Sequence, residues 1–441
     1  MKYIYGLNKS GKSIIDYLIK INENFFCWDD DIQIRTNLSK SNKNISLIEP
    51  KNLNFKLIKE SYITPGISLN DKKLNILKEK KINLYRDLEI YSRLAKNKKI
   101  IAITGTNGKS TTAKLISNML QNCSFNNFLG GNIGVPLLDF TKQDKNKKYH
   151  VIELSSFQLE SFNSFEPYIS VLLNISEDHL DRYKNFKDYV FQKEKIINKN
   201  KKGFNILCVD DLFTLQIYND SKNDIIPISK NFLKKGIYFK DKNIIDNYFT
   251  PKTTLHLKKL SSSLFGHFNI ENILAAYAVS KIMNIHQDNF RKITENFVGL
   301  PHRLEIIFKN KFLKVINNSK ATNVDAALKS IENYDNIYLI LGGRAKEKDF
   351  TKILNYKHRI KKIFLIGESA KLIERQLNKY ILCENNNTLE EAVKYIYQET
   401  LSQLKHCNIL LSPACSSFDQ YSNYEQRGLH FNELIKSFLN E

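Results

Sequence analysis

With 441 residues, 42% of them hydrophobic, the chain is long enough for two or three domains, each with its own core. Its formal net charge of +21 comes from Lys residues spread along the whole chain, without the interleaved aromatic residues of a nucleic-acid-binding surface, so we expect no nucleic-acid partner. The six scattered Cys residues form no C-x-x-C pair, and the sequence has no signal-peptide pattern and no apolar run that could span a membrane. These features argue against a zinc site or a disulfide framework and predict a cytoplasmic protein without a membrane partner.

The first segment alternates strand and helix patterns and predicts a Rossmann-like unit. "KYIYGL" and "NFFCW" indicate strands, "NKSGKS" indicates a turn, and "IIDYLIK" indicates a helix. The helix pattern places a set of apolar side chains on one face, namely Ile14, Ile15, Leu18 and Ile19. Gly6 and Gly11 do not form the strict G-x-G-x-x-G pattern, so the nucleotide-binding signal is weak by itself. The basic stretch from Arg93 to Lys99 predicts a linker.

The second segment opens with "IAITGTNGKSTT", which has the order of a phosphate-binding loop: apolar strand, small residues, Gly-Lys-Ser, helix start. The strict pattern G-x-x-x-x-G-K-[ST] fails at one position, because Ile103 stands where the pattern requires Gly. Backbone N–H groups around Gly105 and Gly108 can still face an anion in front of a helix N-terminus. Lys109 is then expected to bridge the terminal phosphates, and the Ser110 hydroxyl is expected to bind Mg²⁺.

Polar residues also follow two buried strands of this segment, at the edge of a parallel sheet where ligands bind. Glu153 ends the apolar strand of "HVIELSS", where a carboxylate fits either a Mg²⁺ ligand or a salt-bridged structural acid. His179 follows the strand "ISVLLNIS" and lies beside acids in "NISEDHLDRY", where it could bind metal or be a structural residue. Lys193 lies on the predicted helix "YVFQKEKII", and by pattern alone it is like any surface Lys.

The third segment has strand patterns in "FLKVINN", "NIYLILGG", "KIFLIGE" and "CNILLSP", with helical patterns such as "TLEEAVKYIYQETLSQL" between them. It predicts a further α/β unit. "SPACSSFDQYSNYEQRG" (Ser412 to Gly428) is dense in Ser, aromatic and charged residues after a strand. That composition is unusual for a plain loop and favours a small-molecule pocket that binds a carboxylate.

These strings, in this order, resemble the Mur ligase family over almost the whole chain, from near Gly6 to near Phe431. The family strings are "TGTNGKST", "GGNIG", "ELSSFQLE" and "EDHLDR", and Ile103 is part of the family's variant of the phosphate loop. "GLPHR", "SKATN", "LGGRAKEKDF" and "SPACSSFDQYSNYEQRGLHF" resemble the branch that adds D-glutamate. The resemblance implies an α/β fold of three domains: a Rossmann-like UDP-substrate-binding domain at 1–93, a central P-loop ATPase-like parallel-sheet domain that binds ATP at 94–298, and a Rossmann-like amino-acid-binding domain at 299–441.

The resemblance also implies a reaction. ATP would phosphorylate the carboxylate of UDP-N-acetylmuramoyl-L-alanine, and the amine of D-glutamate would attack the acyl phosphate to form an amide. Catalysis would then consist of positioning and electrostatic stabilisation, since phosphate is a good leaving group. This reaction is a cytoplasmic step of peptidoglycan precursor synthesis, and so of cell-wall biogenesis, cell shape and cell division. We expect a monomer with small-molecule substrates.

The same resemblance assigns roles to residues of this sequence. Lys109 would hold the ATP phosphates, Ser110 and Glu153 a first Mg²⁺, and His179 a second. Lys193 matches the Lys that the family carbamylates with CO₂, which gives it a carboxylate-like group able to bind Mg²⁺. Because carbamylation needs the neutral amine, burial and nearby positive charge should depress the pKa of this Lys.

The remaining implied ligand contacts fall into three sets. Those to ATP are Gly105, Thr106, Asn107, Gly108, Lys109, Ser110, Thr111, Asn269, Asn272, His302, Arg303 and Asn318. Those to the UDP substrate are Lys9, Ser10, Asp29, Gly66 and Asn132. Those to D-glutamate are Lys320, Thr322, Lys346, Ser417, Phe418 and Tyr424. Asn318 stands where the family usually has Asp, which keeps hydrogen bonding to ribose but removes a charge.

Two other functions remain open from the sequence. One is a sister Mur ligase or a folylpolyglutamate-type synthase that adds a different amino acid, although no string here suits a diamino acid. The other is a basic nucleic-acid-binding ATPase, which would show steep salt dependence of DNA or RNA binding.

Overall fold

The computed structural model describes residues 1–41, 45–143, 147–179, 182–199, 202–264, 266–401 and 406–440. Within these residues the chain has an α/β fold with three sheets, which confirms the predicted fold class. The chain separates into two compact units. The first consists of Met1–Leu260 and Asn269–Asn296, and the second of Ser261–Phe268 and Phe297–Glu441.

The first sheet is parallel. Its strands are β1 (Lys2–Tyr5), β2 (Phe25–Trp28), β3 (Ser46–Leu47), β4 (Glu60–Ile63) and β5 (Asn83–Tyr85). They lie in the order β3-β2-β1-β4-β5, and each neighbouring pair is parallel. The helices of this region are α1 (Lys9–Lys20), α2 (Ile32–Ser41), α3 (Asn75–Glu79) and α4 (Asp87–Leu94).

Three predictions for this region were wrong in detail. "NKSGKS" is not a turn, because α1 begins at Lys9 and includes Gly11. A Cβ at Gly11 would lie 2.0 Å from the carbonyl oxygen of Gly6, so this Gly serves the close approach of helix and strand. Ile19, in the last turn of α1, is 41% exposed, so it is not part of the buried face that Ile14, Ile15 and Leu18 form. The predicted linker is shorter than expected, since α4 continues to Leu94.

The second sheet is mainly parallel. Its strands are β6 (Lys99–Thr104), β7 (Asn127–Gly131), β8 (Tyr149–Glu153), β9 (Ile169–Leu172), β10 (Phe204–Cys208), β11 (Ile225–Ser229), β12 (Ile237–Lys240), β13 (Asn243–Asp246) and β14 (Thr253–His256). They lie in the order β14-β13-β12-β11-β10-β9-β6-β8-β7. The pairs from β7 to β12 are parallel, whereas β12 to β14 form an antiparallel meander. The helices are α5 (Lys109–Asn122), α6 (Phe186–Glu194), α7 (Leu212–Asp220), α8 (Ile270–Ile282) and α9 (Gln287–Asn296).

One hydrophobic cluster joins these two sheets. It includes Ile14 in α1, Tyr91 in α4, Phe128 in β7 and Ile152 in β8, all of which are buried. This continuous core explains why both sheets belong to one compact unit.

The third sheet lies in the second unit. Its strands are β15 (Glu305–Lys309), β16 (Leu313–Asn317), β17 (Ile337–Gly342), β18 (Ile360–Ile366), β19 (Cys383–Asn387) and β20 (Cys407–Leu411), in the order β15-β16-β20-β17-β18-β19. All pairs are parallel except β15 with β16. The helices are α10 (Val324–Ile331), α11 (Ala370–Leu377), α12 (Leu389–Leu401) and α13 (Tyr424–Asn440).

Short 3₁₀ helices complete the described structure, at Pro50–Asn52, Phe55–Leu57, Lys72–Leu74, Leu137–Lys142, Ser262–Leu264, His267–Asn269 and Thr351–Arg359. The strands of the three sheets fall in the three predicted segments, while the exact domain boundaries stay a prediction. Of the helices that the structure describes, none combines the length and the apolar character that crossing a lipid bilayer requires.

Candidate active site

The phosphate loop connects the carboxyl end of β6 to α5, as predicted. Gly108 caps α5 with a φ of 84°, and a Cβ there would lie 2.3 Å from Oδ1 of Asn272, so the position requires Gly. Asn272 accepts a hydrogen bond from the Thr112 hydroxyl (3.0 Å) and donates one to Oδ1 of Asn269 (2.8 Å). The two predicted ATP-side asparagines therefore lie buried beside the loop. Thr111 is half-buried in the first turn of α5.

Two Lys side chains converge on one carbonyl oxygen of this loop. Nζ of Lys109 donates to the carbonyl oxygens of Gly105 (2.9 Å) and Thr106 (2.8 Å), and Nζ of Lys193 also donates to that of Gly105 (2.7 Å). Lys193 is only 2% exposed, so it is not the surface Lys that its pattern suggested. Burial, and then the charge of Lys109, lower the pKa of Lys193 well below its usual value. The direction of this shift is the one expected for Lys193, whose carbamylation stays a prediction.

Glu153 lies at the end of β8, where it contacts two other predicted site residues. The Ser110 hydroxyl donates to its Oε2 at 2.5 Å, and Nδ2 of Asn132 donates to its Oε1 at 2.8 Å. Gly131, with a φ of 105°, allows this approach, since a Cβ there would lie 2.2 Å from the Glu153 carbonyl oxygen. The expected pair of Mg²⁺ ligands is therefore brought together. Asn132, predicted for the sugar–peptide part of the substrate, contacts the same carboxylate.

His179 has a φ of 56°, and its Nε2 lies 3.5 Å from Oδ2 of Asp178. Its ring packs edge-on against Phe157, with 4.7 Å between the ring centroids. The charge of Asp178 acts on Lys193 and raises the pKa of that Lys, against the stronger effect of burial. His179 therefore directly follows Asp178, a residue whose charge acts on Lys193. Leu180 and Asp181, which belong to the same motif, lie outside the described residues.

Four of the five predicted UDP-substrate residues follow the carboxyl ends of strands of the first sheet, whereas Asn132 follows β7 of the second. The Asp29 carboxylate accepts backbone hydrogen bonds from Leu7 (2.7 Å) and Asp31 (3.0 Å). Lys9 and Ser10 are in the first turn of α1, where Lys9 is exposed.

Gly66 lies in the turn that follows β4. This residue is exposed between Thr64 and Ile67, whose backbone groups form a hydrogen bond of 3.0 Å. The run from Asp29 to Asp31 lacks the basic residue that often follows this Asp in the family. Arg35, four residues after Asp31, donates to the Asp29 carbonyl oxygen at 2.5 Å.

Asn174 is a site residue that the sequence analysis missed. Its Oδ1 accepts from the Asn107 N–H at 2.9 Å, and its Nδ2 donates to the Asn107 carbonyl oxygen at 3.2 Å. Nδ2 also donates to Glu271 at 2.8 Å, and Glu271 forms an ion pair with Lys230 at 2.7 Å. Asn174 thus fixes one peptide of the phosphate loop. Its position two residues after the end of β9 was the available signal, because polar residues at strand ends line ligand sites.

In the second unit, His302 and Asn318 form part of the framework around β16. Nδ1 of the His302 ring accepts a hydrogen bond from the Asn317 side chain (3.1 Å). The backbone N–H of His302 donates to the Glu305 carboxylate (2.8 Å). Burial lowers the pKa of His302. Asn318 is buried, and its Oδ1 accepts from the Leu304 N–H at 3.3 Å.

The structure brings together only some of the residues predicted for D-glutamate. Nζ of Lys320 lies 3.8 Å from the ring centroid of Tyr424. Ser417 is buried, whereas Phe418 is 62% exposed. Lys346 is exposed.

Two further predicted residues of this unit, Thr322 and Arg303, are half-buried. The backbone N–H of Arg303 donates to the Leu300 carbonyl oxygen at 3.3 Å. The sequence analysis also missed Arg427, which is buried. Its guanidinium donates to the carbonyl oxygens of Ser319 (2.9 Å) and Cys415 (3.1 Å), so it connects "SKATN" to "SPACSS".

Comparisons with known proteins identify relatives of this chain. The sequence profile of the Mur ligase middle domain matches residues 103–280. The UDP-N-acetylmuramoylalanine--D-glutamate ligase of Natranaerobius thermophilus is 33% identical, over 99% of this chain and 98% of that protein. The ligase of the same name from Rickettsia prowazekii is 35% identical, over 98% and 97%.

Solved structures share the fold at low sequence identity. The UDP-N-acetylmuramate-alanine ligase of Thermotoga maritima matches with a TM-score of 0.60 at 17% identity, over 99% of both chains. The MurF ligase of Thermotoga maritima in complex with ADP matches with a TM-score of 0.62 at 15% identity, over 92% of both chains.

Proposed function

This chain belongs to the Mur ligase family, and from that premise we propose how its residues carry out the ATP-dependent addition of D-glutamate to UDP-N-acetylmuramoyl-L-alanine. Relatives named as D-glutamate ligases match almost the whole chain, which supports this activity over that of a sister ligase or a folylpolyglutamate-type synthase. The observation that carries the proposal is the convergence of Lys109 and Lys193 on the Gly105 carbonyl oxygen, beside the Ser110–Glu153 pair.

The phosphate loop binds ATP in this proposal. Backbone N–H groups at the start of α5 face the phosphates, and the helix dipole favours their negative charge. The Lys109 ammonium leaves its carbonyl partners to contact the terminal phosphates. Asn174 keeps the Asn107 peptide in place while this happens, because its amide contacts both the N–H and the carbonyl group.

Ser110 and Glu153 fit a Mg²⁺ ion, since a hydroxyl and a buried carboxylate are the oxygen ligands that this cation prefers. Bound Mg²⁺ would neutralise the charge that develops on the transferred phosphoryl group. His179 and a carbamylated Lys193 would hold a second ion. The lowered pKa of Lys193 favours the neutral amine, which attacks CO₂ and then loses a proton to give the carbamate.

The reaction then proceeds in two steps. A carboxylate oxygen of UDP-N-acetylmuramoyl-L-alanine attacks the γ-phosphorus of ATP, and ADP leaves. The neutral amine of D-glutamate attacks the acyl carbon and the amide C–N bond forms. The C–O bond to the phosphoryl group breaks, inorganic phosphate leaves with the carboxylate oxygen that attacked ATP, and the amine loses one proton. Water is a competing nucleophile, so correct positioning of the amine determines the yield.

We place D-glutamate against residues of the second unit. The Lys320 ammonium, oriented by the Tyr424 ring, and the exposed Lys346 supply positive charge for the two carboxylates of D-glutamate. Ser417 and Thr322 supply polar groups, and Phe418 supplies an apolar wall. The proposal also includes a monomeric enzyme in the cytoplasm, where ATP and nucleotide-linked sugars are available.

An isotope experiment tests the chemistry. UDP-N-acetylmuramoyl-L-alanine carrying ¹⁸O in its carboxylate is incubated with ATP, Mg²⁺ and D-glutamate, and product and phosphate are analysed by mass spectrometry. We expect a product heavier by one glutamyl residue and phosphate that contains ¹⁸O. Formation of the product with unlabelled phosphate would contradict the acyl-phosphate route, and the absence of the glutamyl product would contradict the activity.

A further inference from the structure

Arg86 is a buried residue between β5 and α4, and its guanidinium binds backbone carbonyl groups at the end of β4. Its Nη1 donates to the carbonyl oxygen of Ile63 at 3.0 Å and to that of Thr64 at 2.7 Å. These two carbonyl groups begin the turn that carries Gly66, which the proposed function assigns to the UDP substrate. The guanidinium therefore fixes the start of this turn.

Glu160 and Arg182 extend these contacts to the other end of the same turn. Arg86 Nη2 forms an ion pair with Oε2 of Glu160, and Arg182 Nη2 donates to the same oxygen at 3.1 Å. Arg182 Nη2 also donates to the carbonyl oxygen of Ile67 at 2.9 Å. The Arg86–Glu160–Arg182 cluster thus holds both ends of the turn between Thr64 and Ile67, and Glu160 holds the two guanidinium groups.

The cluster belongs to a wider set of contacts between the first sheet and the chain that follows Glu153. The Arg86 N–H donates to the carbonyl oxygen of Ser161 (3.1 Å), and the Ser161 hydroxyl donates to that of Leu84 (2.6 Å). The Glu89 carboxylate accepts from the Asn163 N–H at 2.7 Å. Glu153 itself lies seven residues before Glu160 in the sequence and belongs to the proposed Mg²⁺ site. The UDP-binding turn and the phosphate-loop side of the molecule are therefore linked through buried side chains.

The chemistry of these groups explains why the link is rigid. In the cluster, the side chains of Arg86, Glu160 and Arg182 are 0%, 10% and 9% exposed, so water does not compete for their hydrogen bonds. A planar guanidinium can contact two carbonyl groups and a carboxylate in one fixed arrangement, which an ammonium group does not reproduce. Removal of any one member would leave buried groups unpaired.

We propose that Arg86, Glu160 and Arg182 are positioning residues that fix the UDP-binding turn relative to the Glu153 side of the phosphate site. They make no contact with the reacting atoms. Instead, they determine where a substrate bound at its UDP end presents its carboxylate. This inference rests on the proposed function, because it assigns the turn around Gly66 to the UDP substrate.

Two variants and a matched control test the proposal. Arg86→Lys keeps the charge but loses the fork of donors, and Glu160→Gln keeps the shape but loses the charge. Arg93→Lys is the control, because Arg93 lies on α4, the helix that follows Arg86, and pairs with Glu60 and Glu89 instead of with the carbonyl groups of the turn. The KM for each of the three substrates, kcat and the melting temperature are measured for all variants. Trp28, the only Trp of the chain, precedes Asp29 and reports binding of UDP-N-acetylmuramoyl-L-alanine by fluorescence without ATP.

We expect the KM for the UDP substrate, and its Kd by Trp28 fluorescence, to rise about tenfold in Arg86→Lys and Glu160→Gln, since small displacements of a positioned substrate are costly. The KM for ATP and for D-glutamate should stay within about threefold of wild type, and Arg93→Lys should bind all substrates normally. An unchanged KM for the UDP substrate, or equal changes in all three KM values, would overturn the proposal and indicate a structural role alone.

Two further observations distinguish a failure of the positioning role from a folding defect and from a failure of the proposed function. If Arg86→Lys does not fold, Glu160→Gln decides the question, since it preserves the size and shape of the side chain. If wild-type enzyme shows no turnover that depends on D-glutamate, the proposed function fails. If wild type turns over and the variants match it, only the positioning role fails.

Discussion

The phosphate loop in the first unit and the region around Tyr424 in the second unit both follow strand ends, but they differ in how their polar side chains are held. Around the loop, polar side chains are held by hydrogen bonds: Lys109 and Lys193 share an acceptor, and Ser110 donates to Glu153. In the second unit, residues predicted to bind D-glutamate, such as Lys346 and Phe418, are exposed.

This difference predicts that the buried groups around the loop act in catalysis and that the exposed groups of the second unit act in substrate binding. Electrostatic interactions are strong in a buried environment, so the buried groups around the loop can stabilise developing charge. Exposed groups are screened by water and provide affinity and selectivity rather than rate. Substitutions in the loop region should therefore lower kcat, and substitutions of exposed residues in the second unit should raise KM for the amino acid.

The largest effect is expected for Lys193→Ala, which removes both the carbamate and the proposed ligand of the second Mg²⁺. Phosphate release that depends on D-glutamate should fall roughly 100-fold or more, mainly in kcat. Formate or acetate should restore part of the activity, because a small carboxylate can occupy the space of the carbamate.

Lys187→Ala is the control, since Lys187 is exposed on the same helix α6. Near-normal turnover of Lys193→Ala would show that the buried Lys is a structural residue and would remove the main distinction between the two regions.

The next effect is expected for Glu153→Gln. Gln can keep a hydrogen bond to Ser110, but a neutral amide binds Mg²⁺ far less well than a carboxylate. We expect kcat to fall roughly 30-fold and the Mg²⁺ concentration for half-maximal activity to rise, with the KM for D-glutamate almost unchanged. The control is Glu166→Gln at an exposed position. An unaltered Mg²⁺ dependence would exclude Glu153 as a metal ligand.

A smaller effect is expected in the second unit. Lys346→Ala should raise the KM for D-glutamate about tenfold, because a charge-assisted hydrogen bond to a carboxylate contributes about 1.5–3 kcal/mol. The KM for ATP and kcat should change little. Lys348→Ala, also at an exposed position, should behave like wild type. A fall in kcat without a change in KM would mean that this exposed Lys acts in the chemistry and not in binding.

The smallest effect concerns Asp87, whose carboxyl group is buried next to Arg86. Burial raises its pKa to about 6, above the value expected in the unfolded chain. The folded state therefore favours the protonated form, and the stability contribution of this group is lost as the pH rises through about 6.

Asp87→Asn removes this titration. Its melting temperature relative to wild type should be a few degrees higher at pH 8 than at pH 5. A relative melting temperature that does not change with pH would show that Asp87 is ionised in the folded protein at both values.

The sequence predicted the fold class and much of the first region because the signals there are local. Strand, Gly-Lys-Ser and helix follow one another directly, so the loop, Ser110 and the strand that ends at Glu153 could be predicted from order alone. The burial of Lys193 was not visible in its helix pattern. It depends on the loop, which lies 88 residues away at Gly105.

Contacts between distant parts of the chain were missed for the same reason. Asn132 reaches Glu153 because β7 pairs with β8, which places Gly131 opposite Glu153. Arg86 and Arg427 bind backbone carbonyl groups, and such acceptors carry no sequence signature. "NKSGKS" was misread as a turn because turn-forming residues also occur where a helix must approach a strand closely.

The most direct test of the account is phosphate release from ATP with a panel of amino acids, in the presence of Mg²⁺ and UDP-N-acetylmuramoyl-L-alanine. We expect rapid release with D-glutamate and little release with L-glutamate, L-lysine, D-alanine or no amino acid. Equal release with L-lysine, or release that does not require the UDP substrate, would contradict it.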